Sequence, residues 1–108
     1  RRAENGDDIS FIVEDYYEVI KELLVAYMLR DGMRSKNHQC LISYFILKNP
    51  NYYLEAGIIQ QMSYFRNMLN YYGKDVPEEF YEKNKDEFKK IVELILGMIK
   101  EKDKEMKK

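Results

Sequence analysis

"DISFIVEDYYEVIKELLVAYMLRDG", residues 8–32, is the stretch on which the fold turns. Ile9, Ile12, Tyr16, Ile20, Leu23 and Tyr27 recur at spacings of three and four, the period of one helical face. Val13, Tyr17, Leu24 and Met28 widen the stripe onto a second face, which predicts a central helix covered on two sides. The carboxylates of Asp7 or Asp8 suit its N-terminus. Gly32, just beyond Arg30, reads as its C′ stop.

Working outward, "SKNHQCLISYFILKN", residues 35–49, predicts a short second helix capped by Ser35 or Asn37. Its expected core positions are Leu41, Tyr44, Phe45 and Leu47. Pro50 ends it, because proline disfavours helical geometry in the residue before it, and the same proline suits the first position of the next segment. A third helix is predicted from Leu54 to Tyr72, with Ile58, Met62, Phe65, Leu69 and Tyr72 in one stripe and Gly73 as its stop. "KDVPEEF", residues 74–80, predicts the start of a fourth, with Asp75 as N-cap, Pro77 in the first turn and Glu78 three residues past the cap. Its core stripe is Tyr81, Phe88, Ile91, Val92, Ile95 and Ile99. Residues 1–6 and 101–108 carry no apolar pattern and are expected to fray. The expectation is one all-α domain over residues 1–108, an antiparallel bundle of four main helices.

Composition narrows the function classes. A chain of 108 residues supports one core. With 45 % hydrophobic and 34 % charged residues it reads as a soluble globular protein. The formal charge of −1 offers no overall attraction to a polyanion, so any nucleic-acid binding must use a local patch. No apolar run approaches the roughly 20 residues a membrane span needs, and "RRAENGDD" at the start is polar, unlike a signal peptide. The first residue is not methionine, as expected of a fragment of a longer chain. Cys40 and His38 are each the single residue of their type, so neither an internal disulfide nor a zinc quartet is available. No metal or cofactor is expected, and a reducing cytoplasm is the natural setting. Cys40 is expected to be a small buried residue of the second helix. Ten tyrosines without a tryptophan suit partly buried surfaces and interfaces. Gly-rich phosphate loops, HExxH, nucleophile elbows and EF-hand loops are all missing.

Two places carry candidate chemistry. In "RDGMRSKNHQ", residues 30–39, Lys36 and His38 stand in a modestly basic turn. His38 reads first as a capping or partly buried residue and second as a phosphate or RNA contact. In "SYFRNMLNYYG", residues 63–73, Arg66 falls on the side bearing Ile59, Ser63 and Asn70, off the predicted apolar stripe. Either Arg66 pairs with an acid while Tyr71 and Tyr72 plug the end of the bundle, or its fork holds a phosphate beside Asn67. A helix C-terminus opposes an anion, so the residues leave both readings open.

"DYYEVIKELLVAYMLRDGMRSKNHQCLISYF" followed by "FRNMLNYYG" resembles the HEPN superfamily of small α-helical prokaryotic domains. The likeness is to the archaeal and bacterial branch with an RN-x-x-x-YYG end, and it covers about residues 10–100. It implies a homodimer whose paired RN helices line a cleft, and one further helix upstream. Active members of that family are metal-independent ribonucleases, often toxins paired with a nucleotidyltransferase antitoxin. Their motif is an arginine, four to six residues, then a histidine. Arg66 and Asn67 match its first half, but Tyr71, or Tyr72 at the longer spacing, stands at the histidine position. The resemblance therefore implies a domain that binds RNA or a nucleotide phosphate through Arg66, Asn67, Tyr71, Tyr72, His38 and Lys36 without ordinary ribonuclease chemistry, because a phenol with a pKa near 10 is a poor base at neutral pH. An active ribonuclease using Tyr71 or His38, and a non-catalytic module holding a nucleotidyltransferase, are the alternatives.

Overall fold

A computed structural model describes residues 5–106, with side chains from Asp8 onward. Four helices follow in order: α1 (Asn5–Arg30), α2 (His38–Lys48), α3 (Tyr53–Tyr72) and α4 (Glu78–Met106), with a single 3₁₀ turn, Pro50–Tyr52, before α3. No strand occurs among the described residues, and no helix there is long and apolar enough to cross a membrane. The chain is an all-α bundle.

The central role of α1 follows from its two apolar faces. It packs against each of the other three helices. Val13, Tyr17, Ile20, Leu24, Tyr27 and Met28 are buried along it. Each large side chain so buried contributes roughly 1.5–3 kcal/mol before conformational entropy is subtracted. The stripe predicted through Ile12 lies at the margin: Ile12 is exposed, and Tyr16 and Leu23 are half-buried. The helix begins at Asn5, ahead of the acids expected to open it. It stops at Gly32, whose φ of 79° is left-handed, and the Met33 amide donates to the Met28 carbonyl in the closing turn.

Pairings along α1 fix the direction of every other helix. Ser10 meets the α3–α4 turn while Arg30 meets Asp103, so α1 and α4 run in the same sense. Tyr17 touches His38 and Tyr27 touches Phe45, so α2 shares that sense too. Glu18 meets Arg66 and Ser10 meets Val76, so α3 runs antiparallel to α1. Short turns join α2 to α3 and α3 to α4, as antiparallel neighbours require. The α1–α2 connection differs. Residues 33–37 run back along α1, with Arg34 beside Leu29 and Lys36 beside Lys21 and Glu22. That return delivers His38 to the level of Tyr17.

Several expectations are corrected by the packing. In α2, Asn37 is the cap, its Oδ1 accepting from the Cys40 amide at 2.9 Å. Ile42 is buried there and Leu47, expected inside, is 73 % exposed. Cys40 is exposed in the first turn. In α3 the face against the core is Ala56, Ile59, Met62 and Ser63. Of the predicted stripe Met62 is buried, and the rest of that face is supplied by Ile59 and the small residues Ala56 and Ser63. Ile58 and Phe65 are half-buried, Phe65 packing on Phe80 of α4, and Tyr72 is 70 % exposed.

The fourth helix begins at Glu78, three residues beyond the expected cap, with the Pro77 carbonyl accepting from Tyr81 N. The side chain of Asp75 faces Ser10 instead of capping, and Ser10 Oγ accepts from the Val76 amide at 2.8 Å. Phe88, Ile91, Ile95 and Ile99 are buried as predicted, Phe80 and Asn84 join them, and Tyr81 and Val92 are half-buried. The expected fraying of residues 101–106 is overturned. They are helical, and Lys102 and Asp103 bond to Asp31 and Arg30. Of the N-terminal stretch expected to fray, Asn5 and Gly6 already belong to α1, while residues 1–4, like 107–108 at the other end, lie outside the described residues.

Candidate functional site

The start of α2 and the last turns of α3 enclose an open groove of about 390 Å³. It is lined by Lys36, Asn37, His38, Ser63, Arg66, Asn67 and Tyr71, among others. Five of the six residues singled out from the sequence thus share one space. Tyr72 is not among them.

Arg66 is held firmly. Its Nη2 lies 2.8 Å from Glu18 Oε2, which is buried and falls short of hydrogen-bond alignment, so the contact is an ion pair. Asn70, oriented to satisfy both ends of its amide, accepts from Arg66 Nε and donates to Glu14 Oε2, both at 3.2 Å. The guanidinium also lies 5.9 Å from the centre of the Tyr17 ring. The pairing of Arg66 with an acid is therefore present, but Tyr71 and Tyr72 do not plug the bundle. Tyr71 is 75 % exposed at the lip of the groove. The side bearing Arg66 proves to be the buried side of α3, since Ile59 and Ser63 lie on it.

His38 is the first residue of α2, half-buried, with Nδ1 2.7 Å from the hydroxyl of buried Tyr17. When the phenol donates to Nδ1, the imidazole proton sits on Nε2; when Nδ1–H donates to the phenol, Nε2 is left free. Burial, followed by the charges of Lys21 and Arg66, lowers the His38 pKa below its ordinary value, so the ring is neutral at pH 7. Burial likewise raises the Tyr17 pKa, so that phenol stays protonated. The Glu18 carboxyl sits below the ordinary range: its desolvation works against this, but the Lys21 hydrogen bond and the Arg66 charge outweigh it.

Sequence reasoning missed Tyr17 as the residue that orients His38, and Glu18 and Asn70 as the clamps on Arg66. Their signal was position: Glu18 and Tyr17 are adjacent on the central helix, yet their partners lie at separations no local pattern reveals. It also missed that α2 offers its N-terminus to the groove. The positive end of that helix offsets the unfavourable C-terminal end of α3.

A larger cleft of about 460 Å³ lies between α3 and α4, lined by Tyr53, Leu54, Ile58, Asn84 and Glu87 among others. It gathers no comparable set of cationic and neutral donors. Among the described residues, no group of three or more His, Cys, Asp or Glu side chains converges to hold a metal ion. Comparison of the chain with protein-family models, with curated proteins and with solved structures found no match.

Proposed function

We propose that this groove binds a phosphate of RNA or of a nucleotide through Arg66 and Asn67, without ordinary ribonuclease chemistry. The observation that carries the reading is the convergence of Lys36, His38, Arg66, Asn67 and Tyr71 on one open space. An arginine already fixed by Glu18 and Asn70 presents its charge with little further loss of side-chain freedom. A phenol at position 71, where the family resemblance puts an imidazole, supports binding over cleavage. The relation to HEPN domains, the homodimer and a cytoplasmic setting belong to the same proposal. Exposed Tyr53, Leu54, Tyr64 and Tyr72 on α3 support a surface that a second copy covers.

Calorimetric titration of nucleotide and short RNA tests it. Arg66→Ala should weaken binding at least tenfold, and Arg66→Lys almost as much, since lysine keeps the charge and loses the fork. Unaltered affinity in Arg66→Ala would end the proposal.

The position of His38 favours a second reading, a metal-independent ribonuclease that uses this imidazole as its base, in the tautomer whose Nδ1–H donates to Tyr17 and leaves Nε2 free. Cleavage of unstructured RNA in EDTA separates the two. The natural chain should cut little or nothing. Tyr71→His should raise cleavage by roughly 10²-fold. Robust cleavage by the natural chain that His38→Ala abolishes would replace the binding reading with the second.

A further inference from the structure

The groove offers more directed donors than the interior of a nucleic-acid chain needs. Arg66, Lys36, the Asn67 amide and the His38 ring line one space. A diester within a strand presents two unesterified oxygens and one charge. A terminal monoester presents three strong acceptor oxygens and approaches two charges at neutral pH. The number of donors matches the second group better.

Size and charge point the same way. A space of about 390 Å³ lies at the lower end of small-ligand pockets, room for one nucleotide unit. The surplus positive charge is modest, because Lys21 and Arg66 share Glu18 as partner. Among the described residues Lys36 is the cation lining the groove that has no carboxylate partner. Such a surface gives little attraction to an extended polyanion, whose binding depends on many unpaired cations. It suits one anion met by aligned hydrogen bonds. Tyr71 at the lip adds an exposed ring on which a base can stack.

We propose that the groove takes the terminal phosphate monoester of a nucleotide, free or at the end of an RNA, with its base on Tyr71. This rests on the phosphate reading given above. Arg66 and Lys36 meet the phosphate charge, His38 donates from Nε2, and Asn67 takes a third oxygen. Tyr17 acts as the positioning residue for His38.

The test compares AMP with adenosine, and a ten-nucleotide RNA carrying a 5′-phosphate with the same RNA ending in a hydroxyl. Each is titrated onto the full chain. AMP should bind at least tenfold more tightly than adenosine, and the phosphorylated RNA at least tenfold more tightly than its hydroxyl form. A preference confined to AMP assigns the groove to free nucleotides; one shared by the RNA assigns it to strand ends as well. Lys36→Ala, at an exposed position that leaves the fold intact, should cut the preference to about threefold without changing adenosine affinity. Tyr17→Phe should reduce it too, and His38→Gln, which retains a donor, should recover part of it. Equal affinity for both RNAs, still lost in Arg66→Ala, would overturn the monoester proposal and leave the phosphate reading standing. No binding of any of the four probes would overturn both.

Discussion

Two polar clusters sit on α1, roughly 20 Å apart along its axis, and both are made of arginine, lysine, carboxylate and tyrosine. At the C-terminal end, Arg30 gives Nε and Nη2 to Asp103, at 3.0 and 3.4 Å. Asp31 there accepts from Lys102 at 2.7 Å and from the Tyr44 hydroxyl, and Lys102 also lies over the Tyr27 ring. Cations and carboxylates match one for one. In the middle of α1, Lys21 and Arg66 converge on Glu18, while Lys36, His38 and Asn67 are left facing open space. The first cluster is closed and ties the tail of α4 to the bundle. The second is unfinished in the folded protein. The same residue types close on one another at one end of the helix and leave groups open to solvent in its middle.

This contrast breaks most readily at the closed end. Asp31→Ala should destabilise the fold by about 1–2 kcal/mol, below the full value for bonds to a charged group because the site is partly exposed. It strands Lys102 and the buried Tyr44, whose hydroxyl pKa burial and then Asp31 push up to about 12. Chemical denaturation measures this, and nucleotide binding should be untouched. Arg66→Ala comes next, at about 1 kcal/mol, because Glu18 keeps Lys21 as partner. Its ligand loss should exceed its stability loss. A variant that unfolds without any binding effect would make the two clusters equivalent.

Acid sharpens the contrast by a smaller amount. The folded His38 pKa is lowered, so the unfolded chain binds more protons between that value and about 6.5. Stability should therefore fall as pH drops through the sixes, and this loss should vanish in His38→Gln. The carboxyls act lower: Asp31 is held below its ordinary range by the Lys102 and Tyr44 hydrogen bonds, and Glu18 by the opposing charges around it. Their contributions are complete above the unfolded carboxylate pKa and disappear as pH falls through the folded values. Melting curves between pH 7 and pH 3 should show two steps. The smallest effect belongs to exposed Cys40, which neither cluster uses: Cys40→Ser should change stability by no more than about 0.5 kcal/mol.

Much of the fold was legible because helical spacing survives in one sequence. The breadth of the α1 stripe announced a helix with several neighbours, and Gly32 and Gly73 marked two ends correctly. On α3 the stripe was rotated: Met62 is buried as read, but the buried face continues through Ile59, Ala56 and Ser63, two of them too small to stand out beside Phe65, Leu69 and Tyr72. The α4 tail was misread because its order comes from charges on another helix, at a separation of 73 residues for Arg30 and Asp103. The site was legible as a set of residues but not as a place. Lys36 and His38 join Arg66 through the backward run of residues 33–37, whose direction no local pattern encodes.

The pairing of α1 with α4, the earliest and latest of the described helices, also sets the order of events when the chain is made. As α1 leaves the ribosome its most extensive partner does not yet exist. The face of α1 that packs on α4 stays uncovered until translation has passed that helix. Among the described helices, none ahead of α4 supplies that cover, and loop closure over that distance adds an entropic cost that shorter pairings avoid. A nascent chain halted at Gly73 should remain protease-sensitive, while release of the whole polypeptide should bring protection in one step.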